Sequence, residues 1–147
     1  YPVVERAEAI LKEFNVAYET RIISAHRTPR IAEEFASKAE ENGIEVIIAA
    51  AGKAAHLGGV LAAYTAMPII GLPIKSSTLD GLDSLLSIVQ MPKGVPVATV
   101  AIDGAENAAL LAVQILSVKY PQLRAKMKSY KIKMEEDIVK QDQELNR

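Results

Sequence analysis

The chain has 147 residues, 50% of them hydrophobic, enough to bury one sizeable core, so a single domain spanning residues 1–147 is expected. Seventeen Lys and Arg against eighteen Asp and Glu leave a net charge of -1, without the basic excess that neutralises nucleic-acid phosphates, and nucleic acid is not an expected partner. The absence of cysteine excludes disulfides, thiolate catalysis and cysteine-ligated metals, and no run approaches the ~20 apolar residues of a membrane span; a soluble, cytoplasmic protein is expected.

From Pro2 to Phe14 the apolar residues Val3, Val4, Ala7, Ile10, Leu11 and Phe14 recur at three- and four-residue steps, which predicts a helix with one buried face. Pro2 suits its first turn, where a missing N–H is harmless. Tyr18 to Ile23 alternates and then runs apolar, the pattern of a strand, and Pro29 to Asn42 returns to helical period before Gly43. Val46 to Ala51 is a continuous apolar run, favoured in a strand covered on both faces and therefore in a parallel sheet.

The alternation continues with a helix over about 54–64, a strand around Ile69 to Leu72, a helix over about 81–89, a strand over Val97 to Ile102 and a helix over Asn107 to Val118. Such alternation predicts an α/β doubly wound fold, whose ligands bind beyond the carboxyl ends of the strands. Tyr120 to Asn146 reads as a final charged helix with a narrow stripe of Leu123, Met127, Tyr130, Met134 and Ile138. That stripe covers either its own domain or a neighbouring subunit.

Both histidines follow strand ends, in Ser24-Ala25-His26-Arg27-Thr28-Pro29 and in Gly52-Lys53-Ala54-Ala55-His56-Leu57. Arg27 offers a permanently charged planar fork suited to a phosphate or carboxylate, or to a surface ion pair. Thr28 before Pro29 has the form of an N-cap and first helical residue, so the turn leads into N–H groups that favour an anion. Gly52 permits close approach of backbone to a ligand or simply closes a turn. The segment lacks dinucleotide and P-loop spacing, and two histidines without flanking carboxylates do not form a metal site. Lys75-Ser76-Ser77-Thr78-Leu79-Asp80-Gly81-Leu82-Asp83-Ser84 is expected to supply helix capping. What remains is proton transfer on a small anionic ligand, with each histidine also open to a structural role.

The two histidine strings resemble the signature loops of the bacterial 5-(carboxyamino)imidazole ribonucleotide mutase family. The likeness continues through residues 81–92 (Gly81-Leu82-Asp83-Ser84 to Gln90-Met91-Pro92), 94–102 and 107–112, and so spans roughly Tyr1 to Leu116. The resemblance implies a flavodoxin-like three-layer domain in a homo-octamer, with the helix over 120–147 reaching a neighbour. It implies isomerisation of a nucleotide substrate, 5-(carboxyamino)imidazole ribonucleotide, to the 4-carboxylate without cofactor or metal. His26 matches the family's catalytic acid and base, Arg27 its phosphate-binding arginine, and Ser24, Ala25, Gly52, His56 and Leu57 its pocket. The small Ala51, Ala54 and Ala55 would help keep that pocket dry around released carbon dioxide.

The family opens with a strand ending in a Gly-Ser-Asp-Ser-Asp loop, which the resemblance places ahead of Tyr1. Ala50, Lys53 and Gly58 stand where the family usually has Gly, Gly and Pro. Two alternatives are the animal-type carboxylase, which uses free carbon dioxide and carries a Gly-Arg-Ser-Asn type loop at the second string, and a non-catalytic module that holds a phosphorylated ligand.

Overall fold

The computed structural model describes residues 1–77 and 79–147. Among the described residues six α-helices and three strands follow one another as α1 (Pro2–Glu13), α2 (Pro29–Ser37), β1 (Ile47–Gly52), α3 (Leu57–Tyr64), β2 (Ile69–Ile74), α4 (Leu82–Val89), β3 (Ala98–Thr99), α5 (Ala105–Leu116) and α6 (Pro121–Leu145), with a short 3-10 turn at Leu79–Gly81. The strands are parallel in the order β1-β2-β3, with Ile47 paired to Ile69 and Gly52 to Ile74 across one seam, and Ile70 to Ala98 across the other. Parallel pairing requires crossovers, and α3 and α4 supply them.

Alternation along the strands divides the interior in two. Ile70 and Leu72 point to a cluster with Ala7 and Leu11 of α1, Phe14 at its C-cap and the alanine face of α5. Ile47, Ala49 and Ile69 point the other way, to Ala32 and Ala36 of α2 and Leu61 of α3. Helices thus cover both faces, as the apolar runs of β1 and β2 require, and the α/β three-layer architecture is the one expected.

On the second face Gly71 of β2 meets α4 at such close range that an added Cβ would run into Cγ2 of buried Ile88 and lie 3.1 Å from Val97. Ser84, fully buried in α4, donates one hydroxyl shared between the carbonyls of Ile74 and Gly81, both at 2.9 Å, and so stitches the end of β2 to the helix. This is not the expected capping. The N-cap of α4 is Gly81 with no side-chain cap bond, and Asp83 accepts from the Ser76 hydroxyl at 3.3 Å instead. Thr78 of that loop lies outside the described residues.

The strand expected over Tyr18 to Ile23 is absent. Residues 16–24 run without pairing, and Ile22 is 96% exposed. Between this segment and the unpaired edge of β1 lies a cavity of about 870 Å³, walled by Val16 to Ile23 on one side and Val46 to Ala50 on the other. A strand exists through its partner's hydrogen bonds, and here the gap separates this segment from β1. The strand expected over Val97 to Ile102 shortens to Ala98–Thr99.

The last helix divides as its stripe does. Leu123 and Met127 are buried, and Tyr130 meets Phe14 with ring centroids 5.6 Å apart. From Lys131 onward every residue is exposed, including Met134 and Ile138. No described helix is long and apolar enough to cross a membrane.

Candidate active site

The chain leaves the unpaired segment at Ser24 and turns through Ala25, His26 and Arg27 before α2 begins. That turn is tightly braced. Thr28 donates its backbone N–H (2.8 Å) and its hydroxyl (2.9 Å) to the Ser24 carbonyl, and its hydroxyl accepts the Ser24 N–H at 2.9 Å. Thr28 is the N-cap by position, as expected, but its side chain is spent on this ring of contacts and makes no cap bond to the helix. The Ser24 hydroxyl accepts from the Arg27 backbone N–H at 3.2 Å and from Arg27 Nε at 3.4 Å, which fixes the base of the guanidinium. Among the described residues Arg27 has no carboxylate partner, so the surface ion pair is not formed and the fork keeps its donors for an anion.

The second loop leaves β1 at Gly52 and reaches His56, the N-cap of α3. Lys53 adopts φ 56°, a left-handed conformation that costs an L-residue energy and that glycine occupies freely. A Cβ at Gly52 would meet only Ile74, at 3.6 Å or more, so neither strain nor crowding within the fold demands glycine there. Leu57 begins α3 and packs its side chain on the second core cluster.

The two loops meet through their imidazoles. His26 Nε2 lies 3.1 Å from His56 Nδ1, with the rings edge-on at 80° and centroids 5.2 Å apart. Both histidines are exposed, as are Arg27, Gly52, Lys53 and Ala54, whereas Ala55 is buried and Ala51 half-buried. The small side chains therefore do not enclose a dry chamber within a single chain.

One brace escaped the sequence reading. Asp103, at φ 57°, accepts the Lys75 N–H on Oδ1 at 2.8 Å and donates its own N–H to the Pro73 carbonyl at 2.8 Å, tying the loop after β3 to the loop after β2. Its signal was the Asp103-Gly104 pair, a turn-forming dipeptide.

Against known proteins, the family described as AIR carboxylase matches residues 1–137. The chain belongs to the AIR carboxylase family. Among AIR carboxylase relatives, the N5-carboxyaminoimidazole ribonucleotide mutase of Pyrococcus abyssi is 65% identical over 130 residues, 88% of this chain and 75% of the relative. The mutase of Thermotoga maritima is 57% identical over 144 residues, 98% of this chain and 84% of the relative. The crystal structure of Treponema denticola PurE superposes with a TM-score of 0.90 at 28% identity, covering 99% of this chain and 91% of that one.

Proposed function

We propose that this protein is an isomerase of purine biosynthesis that converts 5-(carboxyamino)imidazole ribonucleotide into the 4-carboxy-5-amino isomer. What carries the reading is the meeting of the two signature loops at the His26–His56 contact, in a chain 65% identical to a protein named as that mutase. The substrate is a small phosphorylated nucleotide. Arg27, free of carboxylates and steadied by Ser24, binds its phosphate, while Ala25, Gly52, His56 and Leu57 line the rest of the pocket.

His26 serves as acid and base, because an imidazole gives and takes protons near neutral pH. The carbamate N–C bond breaks, carbon dioxide leaves, and the exocyclic nitrogen takes a proton from His26. The ring carbon then bonds to the carbon dioxide and returns its own proton to His26, so the protein ends as it began and needs neither cofactor nor metal.

Retaining carbon dioxide between these steps requires walls that the described residues of one chain do not supply, given the exposure of both imidazoles. The single domain therefore works in a homo-oligomer, an octamer on the family pattern, with residues 120–147 laid on a neighbour. The bare apolar residues Met134 and Ile138, 45% and 63% exposed, support that arm. A chain without cysteine suits the reducing cytoplasm.

The test is to give the purified protein each substrate and follow the 4-carboxylate. Turnover of the carboxyamino compound is expected, with His26→Asn at least ~100-fold slower while still binding ligand. Efficient turnover only with aminoimidazole ribonucleotide plus bicarbonate would replace this reading with the animal-type carboxylase. Binding without turnover of either would leave the phospho-ligand module.

A further inference from the structure

We propose that His56 is a positioning residue for His26: the two imidazoles share one proton along the line between His26 Nε2 and His56 Nδ1 and work as one acid–base unit. The inference rests on the mutase reading and deepens it. A separation of 3.1 Å between two ring nitrogens is a hydrogen bond only if one carries hydrogen and the other does not. A proton on both would set N–H against N–H, and a proton on neither would set lone pair against lone pair. The contact therefore selects among the protonation states of the pair.

Counting protons shows what is selected. A neutral pair holds two. If the shared one belongs to His26 Nε2, then His26 Nδ1 is bare and His56 carries its second proton on Nε2. If it belongs to His56 Nδ1, then His26 carries its proton on Nδ1 and His56 Nε2 is bare. One further proton gives a cation with both outer nitrogens protonated and the shared bond intact. A fourth would destroy the bond, placing two like charges with centroids 5.2 Å apart. The unit thus holds one exchangeable proton, and uptake at one outer nitrogen with release from the other moves the shared proton across. A reaction that gives a proton to a nitrogen and recovers one from a carbon needs this capacity of one.

Both rings hang from braced backbone. His26 sits within the Ser24–Thr28 ring of hydrogen bonds, and His56 donates its N–H to the Ala54 carbonyl and accepts from Val60 N–H, each at 3.0 Å. The contact joins residues thirty positions apart from separate loops, so local turn geometry does not bring it about.

The experiment is nuclear magnetic resonance on the full-length protein labelled with nitrogen-15 only in its two histidines. Near neutral pH, one nitrogen of each ring should show a through-hydrogen-bond coupling to the other ring, and the protonated partner of the coupled pair should be identifiable by its attached hydrogen. His56→Phe should abolish the coupling, change the tautomer balance of His26, and lower kcat by at least ~10-fold, a larger factor than any rise in KM from altering the pocket wall; His56→Asn, which keeps a donor and an acceptor, should recover part of kcat. Absence of the coupling in the folded wild type overturns the proposal without touching the mutase assignment, which the substrate assay decides. An unchanged His26 spectrum in folded His56→Phe, or a rise in KM alone, overturns it equally. Should His56→Phe fail to fold, the wild-type coupling and the His56→Asn kinetics still decide.

Discussion

Two stretches, Ile69–Ile74 and residues 16–24, each carry a pair of adjacent isoleucines and meet opposite fates. Ile70 is completely buried in β2, with a partner strand on either side, whereas Ile22 in the other stretch is 96% exposed and pairs with nothing. Extended backbone becomes a strand when a neighbour takes up its N–H and C=O groups, and apolar character alone does not provide one. At Gly71 the β2 side of the molecule leaves no room for an added Cβ, while the β1 side borders an open slot. Both histidine loops lie on the side of the slot, braced by side-chain contacts of their own.

The largest expected effect tests the tight side. Gly71→Ala places a methyl group against Ile88 of α4 and Val97 just before β3, so β2 and α4 must separate. Overpacking of this kind should cost about 2–3 kcal/mol, read as a lower urea midpoint at unchanged slope. A loss below about 0.5 kcal/mol would mean that α4 is as loosely seated as residues 16–24, and the contrast would vanish.

A smaller change of opposite sign sharpens the account of the loose side. Lys53→Gly removes a left-handed L-residue from the loop that carries His56, a strain of about 1–2 kcal/mol, and adds roughly 0.5–1 kcal/mol of unfolded-state entropy. A net gain of up to about 1.5 kcal/mol in chemical denaturation is expected. A variant less stable than the parent would show that this loop does not hold its left-handed turn in solution.

These two positions also mark what could be read from residues alone. Helical period located α1, α5 and α6 to within about two residues, and the continuous apolar runs located β1 and β2, because burial on one face or both leaves a direct trace in sequence. The segment at Tyr18 failed because pairing is a property of two strands, and the slot beside it is invisible in either. Capping failed at Thr28 and Ser84 for a related reason: a hydroxyl takes whichever carbonyl lies nearest, and for Ser84 that included Ile74, ten residues away. Each histidine loop was legible by its own string. Their contact was not, since it depends on where the ends of β1 and the unpaired segment are placed relative to each other.

The smallest effect concerns a tie across the rim of the slot. Glu45, just before β1, accepts from Lys119 Nζ at 2.7 Å and from the Tyr120 hydroxyl at 2.8 Å, linking the strand's approach to the junction of α5 and α6. Those two hydrogen bonds, Lys119 first, hold the Glu45 carboxyl below the ordinary carboxylate range, and Glu45 in turn raises the Lys119 ammonium above its usual value. A depressed carboxyl stabilises the fold above its unfolded pKa, and that contribution disappears as pH falls through the folded value; the raised ammonium stabilises below its unfolded pKa and loses its share as pH climbs through the folded one. The tie is therefore at full strength across neutral pH. Because the ion pair faces solvent, Glu45→Gln should lower Tm by no more than about 2 °C near neutral pH, less in high salt. The difference from wild type should close in acid, below the ordinary carboxylate range, where Glu45 itself becomes protonated. A gap that persists there would show that the loss in Glu45→Gln does not come from removing the charge.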